Sequence, residues 1–436
     1  MKLKTLSAAM ILATVPMTGA FAAAMDRSGQ SIAAFLQPGN YFEAGISVLD
    51  PDVSGKVRSG YTPNAAVPSN AVGLENTNVG DMADDYYFPS AALKFQVTDN
   101  FSVGLLYDQP FGAEATYSAR TPVATSPFAG PFRGEGAFHD GKGNATSVEV
   151  KTQNIALVFG YQPTENWNFY AGPVYQEVKG DVELYGLAYG GAANGFGGYK
   201  AHIGKNEDYG WLAGVAYQIP EIALKASLTY RSEIEHKVRI KESSSGAIGP
   251  YINNPALLGS KSSADTDITT PQSVNLDFQT GIMEDTVAFL NVRWVNWEDF
   301  SIRPYAFGQV AEKVAGPRVG KKNGFDLVAY KDDQWSATLG VGRKFTPKWA
   351  GNVSVGYDTG AGDPVTTLGP TEGYWSLGIG GQYSPEENYF IQAGVKYFWL
   401  GDAKAQSGAD FGTKNYVAEF KDNHAIGYGL KFGYKF

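Results

Sequence analysis

The chain contains no cysteine, so it has neither a disulfide scaffold nor a thiolate metal site. Histidine is scarce: the four residues are His139, His202, His236 and His424, and none stands in a serine or acid constellation. Metal-ligand spacings, a P-loop and a dinucleotide fingerprint are also missing. A hydrolase is the enzymatic alternative, but no catalytic residue, metal or cofactor can be assigned to it. Lys and Arg gather into no single stripe and the net charge is −9, which argues against a nucleic-acid partner. Long apolar runs are lacking too. The stretch Leu6 to Val15 is shorter than the roughly 20 residues a spanning helix needs, and no later segment is longer.

That first stretch follows Lys2 and Lys4 and leads to Ala20-Phe21-Ala22-Ala23-Ala24, the three-part layout of a secretory signal peptide over residues 1–24. An exported chain without a spanning helix is either soluble or a barrel. The 53 glycines and 14% aromatic residues suit many strands joined by loops. Alternation decides the matter. Ile426, Tyr428, Leu430, Phe432, Tyr434 and Phe436 alternate with Gly427, Gly429, Lys431, Gly433 and Lys435, a period of two with one apolar face. Trp375 to Tyr383, Trp335 to Val341 and Phe101 to Tyr107 repeat it, with aromatic residues at the ends of the apolar faces.

The pattern predicts fourteen strands, at 41–48, 86–97, 101–117, 146–161, 167–183, 208–218, 222–240, 268–281, 286–296, 333–345, 349–358, 373–384, 388–403 and 423–436. Their connections alternate between very short, as at Thr98-Asp99-Asn100 and Thr346-Pro347-Lys348, and long and rich in Gly, Ser, Pro and Asn. A β-sandwich has no reason to sort loops by parity, whereas an outer-membrane barrel has short periplasmic turns and long extracellular loops. The reading is an all-β chain: a transmembrane antiparallel β-barrel of the Gram-negative-type outer membrane over residues 41–436, preceded by a short N-terminal plug segment in the lumen, 25–40. Both termini then lie on the periplasmic side.

The segments Ile46 to Gly55, Tyr107 to Gly112 (YDQPFG), Leu228 to Ile234 (LTYRSEI) and Asn291 to Phe300 (NVRWVNWEDF) resemble, in order, the outer-membrane long-chain fatty acid and hydrocarbon transporters of the FadL/TodX family. The resemblance implies a monomeric barrel with an N-terminal hatch, a kinked third strand that opens the wall, and lateral release of hydrophobic cargo among the outer-membrane lipids. The hatch departs from better-known members in lacking Asn-Pro-Ala.

Several residues are candidates for transport. Gln109, Pro110, Phe111 and Gly112 interrupt the third strand, because proline removes a ladder donor and glycine permits a bulge. Either the strand is kinked there, with alternation resuming through Ala115 and Tyr117, or it ends at Asp108. Alternation turns Phe289, Arg293, Phe390, Lys396 and Phe398 into the lumen, where apolar walls with isolated cations suit an apolar tail and an anionic head. The same aromatics equally suit packing against the plug. Arg231 also faces inward, either to hold a carboxylate in a bidentate pair or to form a salt bridge with Glu233 or Asp277. In the plug, Asp26, Arg27 and Phe35 are the candidates, Arg27 to pair with wall acids or to meet cargo. The aromatic, glycine-rich loop from Tyr185 to Tyr199 offers a capture groove if exposed. A general diffusion porin shares this barrel and address, and would differ in conducting salts freely.

Overall fold

In the computed structural model, residues 24–61 and 73–436 are described. The expected signal peptide lies outside them except for Ala24. Fourteen strands close into one antiparallel barrel: β1 (Tyr41–Asp52), β2 (Tyr86–Gln96), β3 (Phe101–Asp108), β4 (Ser147–Tyr161), β5 (Trp167–Leu184), β6 (Tyr199–Ile219), β7 (Leu224–Arg231), β8 (Ser273–Met283), β9 (Thr286–Val295), β10 (Gln334–Lys344), β11 (Trp349–Asp358), β12 (Tyr374–Glu386), β13 (Tyr389–Leu400) and β14 (His424–Lys435). Each pairs with its sequence neighbours, and β1 closes the ring on β14 from Tyr41↔Lys435 to Asp52↔His424. Closure leaves no free end strand, as a bilayer demands because it offers no water to an unpaired backbone group.

Alternation sorts residues between lipid and lumen as the sequence predicts. In β14, Tyr428, Leu430, Phe432 and Tyr434 face outward, while Ala425, Gly427, Gly429, Lys431 and Gly433 are buried inside. Outward aromatics form two belts, with Phe95, Phe101, Trp167 and Trp349 near the short turns and Trp211, Trp335, Trp375 and Trp399 near the long loops.

Besides the third strand, β6, β7 and β8 differ from expectation, β8 beginning at Ser273 and not at 268. β6 begins at Tyr199, not 208, and its first residues put the polar side chains of Lys200, His202 and Lys205 on the outer face. Pairing continues beyond the apolar band into water, and a strand without an apolar outer face reads as loop. The expected strand 222–240 stops at Arg231, and Ile234–Val238 pairs instead with Thr266–Thr270 in a separate hairpin above the barrel.

The outer mouth is filled by one apolar cluster that reaches from wall to wall. It joins Leu49, Val148, Val182, Ile203, Val295 and Phe398 of the barrel to Trp297, Phe300, Phe307, Phe325, Tyr330 and Leu368 of the loops. A five-stranded sheet of short segments, including Ser54–Val57, Ala403–Gln406 and Ala418–Phe420, ties several of those loops together.

Candidate transport path

The wall is continuous except at the third strand. β3 pairs with β2 only from Ala91↔Tyr107 to Gln96↔Ser102, so Tyr86–Ser90 has no ladder partner on that side. After Gln109, Pro110 and Phe111 the chain resumes as Gly112–Thr116, which pairs with β4 and not with β2. Asp108 faces Asn154 and Gly112 faces Lys151, so three residues of the third strand oppose two of β4. This is a one-residue bulge, and a shift of one residue exchanges the faces. The alternation through Ala115 and Tyr117 does resume, but reversed: odd residues face lipid up to Tyr107, whereas Phe111, Ala113, Ala115 and Tyr117 are buried inside. β3 does end at Asp108, but no loop begins there, because pairing with β4 resumes at Gly112.

Pro89 lies in the unpaired stretch of β2, where its missing N–H costs no ladder bond. At the outer end the gap closes again, through the Ala83↔Ala115 bridge and the Thr116 N–H to the Met82 carbonyl at 2.8 Å. Tyr86 Oη spans the opening by donating to the Glu114 carbonyl at 2.6 Å and accepting the Glu114 N–H. The wall thus has a bounded window.

The N-terminal segment lies inside the barrel and runs along this window. Arg27 N–H donates to the Pro110 carbonyl at 2.7 Å, and Gly112 N–H to the Met25 carbonyl at 2.8 Å. Asp26 bridges Phe111 between them, so the hatch supplies the ladder bonds that the bulge removes. The Asp26 carboxylate is fully buried and takes both branches of the Arg293 guanidinium, at 2.8 and 3.0 Å. Asn275 and Gln30 accept from the same guanidinium at 2.7 and 3.0 Å. Ser28 donates to Asp108 at 2.7 Å, and further down Lys225 and Lys94 donate to the carbonyls of Leu36 and Gln37. Phe35 is fully buried with its ring edge-on to Tyr170 at 5.9 Å.

Around this segment a cavity of about 1020 Å³ occupies the lumen on the periplasmic side of the cap. Its lining includes Phe88, Leu106, Val174, Leu212 and Phe289, and it reaches Pro89, Ser90, Tyr107 and Asp108 at the window. That volume is at the upper end of small-molecule sites, of roughly 300–1,000 Å³.

The family model for the outer membrane protein transport proteins (OMPP1/FadL/TodX) matches residues 22–436. The chain belongs to the FadL/TodX family. Solved structures agree in fold: a FadL homologue of Pseudomonas aeruginosa, 16% identical, superposes with a TM-score of 0.65 over 96% of this chain and 98% of that one. The P. putida toluene transporter TodX gives 0.57 at 13% identity over 92% and 91%, and the Ralstonia pickettii toluene transporter TbuX 0.53 at 12% over 97% and 98%. By sequence, no curated protein matches the chain. As a FadL/TodX protein it is an outer-membrane transporter of hydrophobic molecules and not an enzyme.

This FadL/TodX chain brings only some of the expected residues onto the cavity. Arg231 lines it, buried to 7% exposure, and its Nη1 has no hydrogen-bond partner among the described residues. The anticipated acid partner Asp277 is instead hydrogen-bonded by Asn291 at 2.7 Å and Ser227 at 3.4 Å. Arg293 follows the ion-pair alternative, to Asp26. Arg27 pairs with no wall acid among the described residues: its guanidinium lies over the Tyr86 ring at 4.9 Å. Phe289 lines the cavity, whereas Phe390 packs under the hatch with Ala34, Tyr41 and Ala92. Phe398 belongs to the outer cap, edge-on to Tyr374 at 5.1 Å, with Lys396 above its ring at 5.5 Å. Gln109 donates to Tyr107 Oη at 3.3 Å. The capture groove is not formed as expected, because Tyr185, Leu187, Phe196 and Tyr199 are buried, the last two against Phe307. Sequence reasoning missed Pro89, whose presence in a predicted interior strand is itself the signal of a missing neighbour.

Proposed function

We propose that this transporter moves long-chain fatty acids, or hydrocarbons of similar shape, into the lumen and releases them sideways through the window between β2 and the third strand. One observation carries the reading: the stretch of β2 that lacks a ladder partner on its third-strand side faces a bulge, and the main cavity is lined by both sides of that gap. Greasy cargo that leaves sideways never has to cross water. On β4 the outward residues change from Ile155, Leu157 and Phe159 to Gln153, Lys151 and Glu149 at the level of the bulge, so release there is at the outer boundary of the apolar band. A diffusion porin would keep an open polar lumen, and the apolar cap argues against one.

The bulge can be repaired by arithmetic. Deleting Gln109 restores two residues opposite two, and Pro89→Val with Pro110→Val returns the ladder donors. The repaired barrel should fold, as heat-modifiable migration would show, and cells should lose most of their oleate uptake. Normal uptake with a folded barrel would refute lateral release.

A further inference from the structure

The hatch holds a carboxylate in a site that is built for one. Arg293 is 2% exposed, its guanidinium is oriented by Asn275 and Gln30, and it presents a two-branched fork to an oxygen pair. Bidentate guanidinium and carboxylate geometry is directional and strong in a dry site. In the structure that oxygen pair belongs to Asp26, a residue of the chain's own hatch. Asn275, Gln30 and Arg231 all line the main cavity, so a molecule in the cavity borders this site on one side. On the neighbouring strands stands a second guanidinium with an unfilled donor, buried Arg231 Nη1: Arg231 faces Ser273 of β8, two residues from the Asn275 that faces Arg293. A buried charged donor without a partner is costly, and a ligand oxygen would satisfy it.

We propose that Asp26 is a built-in stand-in for the cargo's head group: a long-chain carboxylate displaces it from Arg293, takes the free donor of Arg231 as well, and thereby frees Met25–Arg27 from the window. The inference rests on the cargo reading above and adds the chemistry of its head group. Exchange of one carboxylate for another leaves the number of charges at Arg293 unchanged. Uncharged cargo has no such exchange, so its binding does not depend on Asp26.

The test is a substitution whose sign is unusual. Asp26→Asn removes a negative charge at a carboxylate site and should tighten dodecanoate binding on the order of tenfold, because the internal competitor no longer occupies the site. Dodecanol, of equal length, should bind nearly as before. Titration of the purified full-length barrel in detergent at pH 8 with both probes would read this, with Arg293→Gln expected to abolish the preference for the acid. Weaker acid binding in Asp26→Asn, or equal changes for acid and alcohol, would overturn the proposal while leaving hydrophobic transport intact. If the wild-type barrel binds neither probe, the cargo reading fails and this inference falls with it.

Discussion

Arg293→Gln should detach the first turn of the hatch. Asp26 is fully buried, and its carboxylate would be left without a counter-charge in a largely dry lumen. Breaking a buried pair by removing one partner costs about 3–5 kcal/mol, or roughly two to three and a half orders of magnitude in the detached fraction. The backbone bonds from Arg27 to Pro110 and from Gly112 to Met25 are too few to offset this, each contributing about 0.5–1.5 kcal/mol net. The absence of native cysteine makes the readout clean. A single Met25→Cys thiol, buried at 6% exposure in the parent position, should react slowly with a maleimide and faster by at least two orders of magnitude when Arg293→Gln is added. Equal rates would show that the ion pair does not hold the hatch.

Removing residues 25–40 should by itself raise ion conductance little, and adding Trp297→Ala should raise it on the order of tenfold. The reason is that the lumen is closed twice. Below lies the hatch, and above it the apolar cap spans the mouth. Trp297 is the centre of that cap over the bulge: fully buried, it meets Phe111 at 5.5 Å, Phe300 at 5.1 Å and Tyr330 at 5.2 Å, and donates to Gln334 at 2.8 Å. Its truncation costs about 3–5 kcal/mol in packing and leaves the Gln334 oxygen without that donor. An apolar constriction excludes ions even when it is not filled, so the hatch-free barrel remains nearly insulating until the cap is loosened. Planar-bilayer recordings of both variants decide the matter, since full opening on hatch removal alone would make the cap irrelevant to closure.

The barrel was legible because lipid enforces a two-residue period that few other folds sustain over so many segments. Strand ends were less legible wherever pairing outlives the membrane, as in Tyr199 to Lys205, because charged outer faces look like loop. The break at Pro110 was readable from residue type, but its consequence was not. Whether a bulge holds one or two extra residues decides which face Phe111 and Ala115 take, and proline and glycine do not encode that number. Among the lumenal cations, sequence places Arg231, Arg293 and Lys396 inside yet cannot assign their partners, since Asp26 and Arg293 are brought together only by the path of the hatch. The loop from Tyr185 to Tyr199 illustrates the opposite limit. Its aromatics read as an exposed greasy surface, and they are instead the partners of Phe307 and Phe325, more than a hundred residues away.

Lateral passage is tested most directly by closing the window reversibly. Ser90 of β2 and Gln109 at the start of the bulge lie on the two sides of the gap beyond the last β2–β3 pair, Ala91↔Tyr107, and the native chain offers no competing thiol. Ser90→Cys with Gln109→Cys should support oleate uptake in reductant, lose it when the two thiols are joined by a short bifunctional methanethiosulfonate, and regain it on reduction, while neither single variant responds. Undiminished uptake by the fully cross-linked barrel would contradict the account.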